Sequence, residues 1–292
     1  MKEIIISDYK VSEKIEIANT KTFVDLEASE DTIEEALEET REKLGKLQDT
    51  LYAHGKYAVL VCLQGMDAAG KDSLIREVFK DFNARGVVVH SFKVPTELEK
   101  KHDYLWRHYI ALPSRGKFGV FNRTHYENVL VTRVHPEYIL GENLPHVHGV
   151  EDVNDTFWDK RFDQINQFEK TIAENGTIIF KFFLNLSKDE QRSRQLRRLH
   201  KPSKNWKFSA GDLDERDLWP AYMRCYEDVL NRTSKPHAPW YIIPSDNKPS
   251  ARLMVASIML QELQKYKDIK EPELDPKVKA RIDEFIDRLE NE

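Results

Sequence analysis

The sequence predicts an α/β fold in which a central parallel sheet of five strands is flanked by helices. Two observations favour it. Short apolar runs alternate with amphipathic helical patterns along the chain, which is typical of a parallel sheet covered on both faces. The first apolar run, residues 57–64, leads into a glycine-bounded loop, 65–72, and then a helical pattern. No repeat, low-complexity tract or Gly/Ser linker divides the chain, so one domain over 31–292 is expected.

The elements follow in order. Residues 1–30 are expected to form an irregular arm, and Asp31 with Glu34 resembles a capping box that begins a helix over about 32–53. Strands are predicted at 57–64, 87–92, 117–122, 177–184 and 240–243. Helices are predicted from the glycine-bounded loop to about 84, and at about 125–134, 155–174, 188–200, 214–233, 250–266 and 275–290.

Composition limits the class of protein. Charged residues make up 33% of the chain, but the net charge is only −5, so a polyanionic partner would need a local basic patch. Two cysteines, Cys62 and Cys225, are too few for a disulfide framework and are expected to be buried thiols. We find no signal-peptide pattern and no apolar run of about 18 residues. A cytoplasmic protein without a membrane partner is therefore expected.

Residues 65–72, Gly-Met-Asp-Ala-Ala-Gly-Lys-Asp, have the spacing of a phosphate loop. Glycines let backbone N–H groups curl around a phosphate at a helix N-terminus, and Lys71 adds a full positive charge. Asp72 replaces the Ser or Thr that usually binds Mg²⁺, so Asp67 is the candidate metal ligand. An ordinary tight turn with an exposed lysine is the alternative. The phosphate-binding residues predicted around Lys71 are Gly65, Met66, Ala68, Ala69, Gly70 and Asp72.

Ligands of such sheets bind beyond the carboxyl ends of the strands, so the other strand ends should face this loop. The third strand ends at 122–128, where Arg123 offers a planar fork suited to phosphate; a surface arginine is the alternative. His125 is expected to be structural or to bind a ligand. The fifth strand ends at 244–248.

The fourth strand leads into a basic segment. Residues 188–207 contain eight Lys or Arg, and only Asp189 and Glu190 oppose them. Helical spacing places Arg194, Arg197, Arg198 and Lys201 on one face. A solvated basic face is one interpretation. We favour an anion-binding lid over about 187–213, because like charges near the phosphate loop would repel one another without an anion.

Three segments in order, 65–72, 121–131 and 187–192, resemble the polyphosphate kinase type 2 family, and 219–222 and 238–241 are also similar to it. The resemblance covers about residues 30–267. It implies a P-loop kinase fold and Mg²⁺-dependent transfer of phosphoryl groups between inorganic polyphosphate and nucleotides, with Mn²⁺ as an alternative metal. AMP or ADP would give ADP or ATP, and GMP or GDP are further candidates.

The resemblance also implies roles for residues. Asp67 would hold the metal, Lys71 would bind the transferring phosphate and Arg123 would clamp it. The lid arginines Arg194, Arg197 and Arg198 would engage polyphosphate or the nucleotide phosphates, and Lys201 and Lys204 are further candidates for contact with polyphosphate. The nucleotide would contact Asn122, His125, Glu127 and Asn128.

One position departs from the family pattern. Many members have Asp where this chain has Asn122, so a second metal ligand is left open. The Asn-Arg-Thr-His-Tyr-Glu version resembles class III, which phosphorylates both nucleoside mono- and diphosphates.

Two other functions compete. A thymidylate-type, ATP-dependent nucleoside monophosphate kinase also joins a phosphate loop to a basic lid, but such kinases are usually shorter and have Ser or Thr after the lysine. A non-catalytic polyanion- or RNA-binding module would interleave aromatic residues with basic ones, and residues 188–205 contain no aromatic side chain of Phe, Trp or Tyr type. We expect a homo-oligomer that binds no nucleic acid.

Overall fold

The computed structural model describes residues 1–292 except the side chain of Lys207, so that member of the basic segment lies outside the described side chains. Its five strands form one sheet in the order β2-β3-β1-β4-β5, and every neighbouring pair is parallel. The predicted fold class is confirmed. In chain order, strands β1 to β5 are Ala58–Gln64, Val87–Ser91, Phe118–Asn122, Thr177–Asn185 and Trp240–Pro244.

Helices cover both faces of the sheet. In chain order, helices α1 to α11 are Glu30–His54, Lys71–Val78, Trp106–Tyr109, Val131–Val134, Asp155–Glu174, Lys188–His200, Gly211–Asp217, Trp219–Thr233, Lys248–Leu263, Pro276–Lys279 and Ile282–Glu290. Helices α1, α2 and α9 share one apolar core with the sheet. Helices α5 and α8 pack on the opposite face. Among the described residues, no helix is long and apolar enough to cross a bilayer.

Several boundaries differ from the predictions. Helix α1 begins at Glu30, because the side chain of Ser29 accepts the Thr32 N–H at 3.2 Å; the Asp31 box is not its start. Helix α2 ends at Val78 rather than near 84. The predicted helix 214–233 is divided into α7 and α8, and Pro220, which has no N–H to donate, stands in the first turn of α8.

The segment predicted as a helix over 125–134 is also divided, into a 3₁₀ turn, His125–Val129, and α4. The predicted loop 201–213 contains a second 3₁₀ turn, Pro202–Lys207, and the start of α7. The predicted C-terminal helix consists of the two short helices α10 and α11.

The N-terminal arm covers the outer edge of β5. The N–H of Val11 donates to the carbonyl of Trp240 at 2.9 Å, and the N–H of Ile242 donates to the carbonyl of Tyr9 at 2.8 Å. Ile4 and Val11 are buried. Because these bonds satisfy the backbone of β5, that edge of the sheet is not open to other strands.

The register of the sheet places the functional loops together. Leu63 of β1 lies beside Asn122 of β3, and Gln64 lies beside Phe183 of β4. The loops that follow these three strands therefore leave the same edge of the sheet. This edge carries the phosphate loop, the 122–128 segment and the start of α6.

Candidate active site

The phosphate loop leaves β1 through a backbone conformation that requires glycine. Gly65 has φ +154°, and a Cβ atom there would lie 2.9 Å from the carbonyl oxygen of Leu184. Gly70, which precedes α2, has φ +104°. These two residues allow the loop to curl tightly between the strand and the helix N-terminus, as a phosphate site requires.

Lys71 folds back over this loop instead of extending into solvent. Its Nζ donates to the carbonyl oxygens of Gly65 at 2.6 Å and Met66 at 3.3 Å. Burial, followed by the nearby charge of Arg123, lowers the pKa of Lys71 to about 8. A cation held in this way is suited to bind an anion at the loop. The alternative interpretation, an ordinary tight turn with an exposed lysine, does not fit this position of the side chain.

Asp67 faces a second carboxylate, on the lid. Nη1 of Arg198 donates to Oδ2 of Asp67 at 3.1 Å and to Oδ2 of Asp212 at 3.4 Å. Burial opposes ionisation of Asp67, but the charges of Lys71 and Arg198 outweigh it and lower its pKa. Burial and the charge of Asp67 raise the pKa of Asp212 to about 6. Sequence reasoning missed Asp212, whose one signal is its position at the end of the predicted lid.

This pair suits a metal shared with substrate. Mg²⁺ in phosphate sites usually takes one or two carboxylates and completes its shell with phosphate oxygens and water. Among the described residues, no group of three or more His, Cys, Asp or Glu side chains forms an all-protein metal site. Asp67, with Asp212 within reach, fits a divalent ion that is held largely by phosphates.

The presence of Asn rather than Asp at position 122 is explained by its contact with Asp72. Its Nδ2 donates to Oδ1 of Asp72 at 2.6 Å and contacts Oγ of Ser91 at 3.4 Å. A carboxylate at 122 would face that of Asp72, and two ionised carboxylates at this distance repel. The departure from the family pattern is therefore matched by the neighbouring residue. Asp72, predicted to contact phosphate, and Asn122, predicted to contact the nucleotide, bind each other here instead.

Arg123 lies next to the phosphate loop in a left-handed conformation, φ +59°, with an exposed side chain. Its neighbour Glu127 accepts from Nε2 of Gln64 at 3.0 Å, so that carboxylate is held at the end of β1. Nδ2 of Asn128 donates to the carbonyl of His125 at 3.0 Å and closes the turn. Arg123 and Glu127 thus face the site, whereas Asn128 stabilises the segment that carries them.

His125 is fully buried behind this segment. Its Nε2 lies 3.1 Å from Oε1 of Glu169, which also accepts from the hydroxyl of Tyr126 at 2.6 Å. Nζ of Lys181 donates to Oε2 of Glu169 at 2.6 Å and to Tyr126 at 2.8 Å. Of the two roles predicted for His125, structural or ligand-binding, burial supports the structural one, and the predicted contact with the nucleotide is corrected because the side chain is 0% exposed.

The predicted contact of Arg194 with polyphosphate is also corrected. Its side chain is 3% exposed and Nε pairs with Glu190 at 2.8 Å. Nη1 donates to the carbonyls of Ala68 and Ala69. Nη2 donates to the carbonyl of Ser245 at 2.6 Å. Arg194 therefore ties the lid to the back of the phosphate loop, and its donors are occupied by protein rather than by polyphosphate.

The exposed cations of the lid continue onto α9. Arg197, Lys201 and Lys204 are exposed, as a polyanion-binding role requires. Burial, followed by the charges of Arg194 and Arg197, lowers the pKa of Lys248 to about 8, and Arg252 and Lys204 add to the same effect. A Cβ atom on Gly70 would lie 3.8 Å from Cε of Lys248, so this lysine stands against the phosphate loop. We call Arg197, Lys204, Lys248 and Arg252 the basic strip.

A sequence profile described as Polyphosphate kinase 2 matches residues 27–272. The chain belongs to the polyphosphate kinase 2 family. The resemblance carried by three segments of sequence is thereby confirmed, over a slightly longer range than the predicted 30–267.

The relatives of this polyphosphate kinase 2 chain match it along most of their length. It is 46% identical over 256 residues to an ADP-polyphosphate phosphotransferase of Rhodopseudomonas palustris, covering 87% of this chain and 88% of that one. It is 46% identical over 230 residues to an AMP/ADP-polyphosphate phosphotransferase of Meiothermus ruber, covering 79% and 80%. The crystal structure of polyphosphate kinase 2 from Arthrobacter aurescens TC1 superposes with a TM-score of 0.86 at 33% identity, covering 96% and 95%.

Within this polyphosphate kinase 2 fold, the structure brings Lys71, Asp67 and Arg123 together at one edge of the sheet. The sequence places Lys248 in the segment that ends the fifth strand and assigns it no role. Sequence reasoning missed Arg252, which lies four positions after Lys248 and therefore on the same face of the mostly apolar helix α9. The helical spacing of Lys248 and Arg252 on α9 is the one sequence signal for this part of the basic strip.

Proposed function

We propose that this polyphosphate kinase 2 transfers phosphoryl groups between inorganic polyphosphate and both AMP and ADP, with GMP and GDP as further acceptors and Mg²⁺ as the metal. The observation that carries the proposal is the basic strip beside a phosphate loop that already contains Lys71. The neighbouring cations that lower the pKa of Lys248 repel its ammonium group, and this repulsion raises the free energy of the protein without a ligand. A long polyanion would contact all of these cations and remove the repulsion. The proposal also includes a homo-oligomer in the cytoplasm, a compartment that suits two free, buried cysteines.

The transfer needs no covalent intermediate. An oxygen of the nucleotide's terminal phosphate attacks the terminal phosphorus of polyphosphate in line, and the bond from that phosphorus to the next chain oxygen breaks. The shortened polyphosphate keeps this oxygen and the electron pair. Backbone N–H groups of 66–71, the Lys71 ammonium and the Arg123 guanidinium stabilise the charge on the equatorial oxygens. A bound divalent metal, held on Asp67, would neutralise further phosphate charge.

Lid residues order the site without touching the reacting atoms. Arg194 and Gln191 donate to backbone carbonyls of the phosphate loop, which turns those carbonyls away from the phosphate side. Glu127, fixed by Gln64, faces the acceptor side and is the group we propose to contact the nucleotide.

The thymidylate-type kinase is less well supported. Such an enzyme would use a hydroxyl after the loop lysine, whereas Asp72 here is engaged by Asn122. Its phosphate donor, ATP, would also leave the α9 half of the basic strip without a ligand.

The test is to incubate the purified protein with Mg²⁺ and polyphosphate, and separately with AMP, ADP, GMP or GDP, and to resolve the products. A parallel reaction replaces polyphosphate with ATP. Product from polyphosphate supports the proposal. Product that forms only from ATP and a nucleoside monophosphate would overturn it.

Asp67→Asn is expected to raise the Mg²⁺ concentration needed for half-maximal activity by roughly tenfold or more, the scale on which changes near a metal site act. The measurement is a Mg²⁺ titration at saturating polyphosphate and ADP, repeated as a binding titration with Mn²⁺ by electron paramagnetic resonance. Asp214→Asn is the control, because it makes the same charge change on an exposed part of α7. An unchanged titration in Asp67→Asn would place the metal elsewhere.

Neutralising residues of the basic strip is expected to weaken the binding of polyphosphate more than the binding of nucleotide. Contacts between cations and a polyanion release counterions, with a slope of about 0.7 per phosphate contact for single-stranded chains. Arg197→Gln combined with Lys248→Gln should therefore reduce the slope of log KM for polyphosphate against log salt by roughly 1.4. KM for ADP should change little.

The matched control is Arg192→Gln, on the same helix as Arg197 but paired with Asp189 and 64% exposed. It should leave both KM values near those of the wild type. Equal shifts of the two KM values in the double variant would contradict polyphosphate binding by the basic strip.

A further inference from the structure

Strand β4 extends beyond its neighbour β5 at the end of the sheet opposite the candidate active site. β5 begins beside Lys181, so residues 177–180 of β4 have no strand on that side. Pro239, which has no N–H to donate to a strand, comes directly before β5. The chain turns away there, because the N–H and the carbonyl of Ala238 both bond to Lys235. The edge of β4 is therefore open over residues 177–180.

The N–H and C=O groups of Ile179 point into this open edge. The carbonyl of Gly176 accepts from Ala58 of β1 at 3.0 Å, whereas the carbonyl of Asn185 accepts from Ser245 on the β5 side at 2.9 Å. Bonding alternates along a strand, so the odd-numbered residues of β4 direct their backbone groups towards β5. Among the described residues, no protein group bonds to the N–H or C=O of Ile179. Ile179 is 4% exposed, and a buried backbone group without a partner is costly.

A cavity of about 300 Å³ lies where a longer β5 would continue, a volume at the lower end of the range for small-molecule sites. It is bounded by the end of α5, which contributes Ala173, and by the end of α9, which contributes Tyr266. A ligand bonded to the edge of β4 would lie in the plane of the sheet, with one face towards each helix. We call this cavity the notch; its lining includes Lys170, Ala173, Ile179, His237, Glu262 and Tyr266.

The notch differs in charge from the catalytic edge of the sheet. Lys10 and Lys170 line it together with Glu174 and Glu262, so its formal charges balance. Nζ of Lys170 lies 3.8 Å from Oε1 of Glu174. Burial, followed by the charge of Glu262, raises the pKa of Tyr241, so that hydroxyl keeps its proton. A polyanion would find no surplus of cations here, whereas the hydroxyl groups of a neutral ligand would find carboxylate acceptors.

We propose that the notch binds a purine nucleoside of the adenosine type. The N–H of Ile179 donates to N1 of the base, and its C=O accepts from the N6 amino group. The base lies in the plane of the sheet, with Tyr266 on the side of α9, and the ribose hydroxyls face Glu262. The site is about 20 Å from the catalytic edge, because β4 rises about 3.3 Å per residue between Ile179 and Asn185.

A planar base fits the notch better than an extended peptide. An added strand gains its affinity from a succession of main-chain bonds. Only Thr177 and Ile179 direct backbone groups to this side within 177–180, and Thr177 is half-buried at the start of β4. A base uses both groups of Ile179 at once and contacts the walls of the notch through its faces. The inference goes beyond phosphoryl transfer, and its test does not depend on that activity.

Photolabelling with 8-azidoadenosine tests the site, because the azide at position 8 leaves N1 and the N6 amino group free. Irradiation should label peptides of the wild type that contain residues 236–241 or 262–266, and excess adenosine should suppress this label. N6,N6-dimethyladenosine has no N6–H donor and would leave the Ile179 carbonyl unpaired. It should therefore compete roughly tenfold less well than adenosine.

Filling the notch gives the matched comparison. Ala173→Trp places an indole in the notch and should abolish the label on these peptides. Thr171→Trp, at an exposed position of the same helix that does not line the notch, should keep it. Tyr266→Leu removes the ring on the other side and should weaken competition by adenosine roughly fivefold or more. Circular dichroism checks that each variant is folded.

If adenosine suppresses no label on these peptides of the wild type, the notch holds only water and the proposal is overturned. Equal competition by the two nucleosides would also overturn it, as would undiminished labelling in folded Ala173→Trp.

Discussion

Replacing Lys71 with alanine is expected to lower kcat by about 10²–10³, the scale of losing one preorganised donor that stabilises transition-state charge. The Lys71 ammonium lies over the phosphate loop, within hydrogen-bond distance of two loop carbonyls. Phosphoryl transfer depends on positioning and charge, and Lys71 is the cation that these two carbonyls position over the loop. Folding should change little, because the two hydrogen bonds of the Lys71 ammonium are to carbonyls of the loop itself. The measurement is kcat at saturating polyphosphate and ADP, with the unfolding midpoint as the control.

The same lysine should set an alkaline limit. Since its pKa in the free protein is lowered to about 8, the ammonium is present below that pH and lost above it. kcat/KM, which reports the free enzyme, should fall as pH rises through 8, whereas kcat should be less affected because bound phosphates favour the charged form. Lys71→Arg keeps its charge and should reduce this limb to the part that Lys248 contributes, since the pKa of Lys248 is also lowered to about 8. Near-normal turnover in Lys71→Ala would contradict the assignment.

The positions of the phosphate loop and of the strand ends could be predicted from sequence because local rules govern them. Glycine spacing fixes the loop, and parallel strands bring their carboxyl ends to one edge. The basic helix was also predicted with its observed bounds, since Ser187 caps it. These features depend on residues close together in the chain.

The role of Arg194 could not be predicted in this way, and the sequence left two roles open for His125. Helical spacing correctly groups Arg194 with Arg197, but whether a guanidinium meets a carbonyl or solvent depends on contacts over more than a hundred residues of chain. The partner of His125, Glu169, is likewise 44 residues away. Burial of a charged side chain is decided by such distant pairs, and one sequence does not display them.

Lys181→Met is expected to destabilise the protein by about 3–5 kcal/mol, the usual cost of removing one member of a buried ion pair. Both Lys181 and Glu169 are fully buried, and Lys181 lowers the pKa of Glu169 against the effect of burial. Without Lys181, the Glu169 carboxylate keeps His125 and Tyr126 as partners but has no neighbouring cation. The measurement is the free energy of unfolding in urea.

Glu169→Gln added to Lys181→Met removes the uncompensated charge and keeps an oxygen for Tyr126, so it should restore part of the lost stability. The network also bears on catalysis, because His125 and Tyr126 follow Arg123, whose left-handed backbone must be held by its surroundings. Lys181→Met should therefore lower kcat in the wild-type background and have little further effect on kcat in Arg123→Ala, since the network acts on turnover through that arginine. An unchanged kcat in Lys181→Met would show that Lys181 contributes to stability alone, and strictly additive effects on kcat would show that it does not act through Arg123. An unfolding free energy within about 1 kcal/mol of the wild type would show that the pair is not the buried charge network described here.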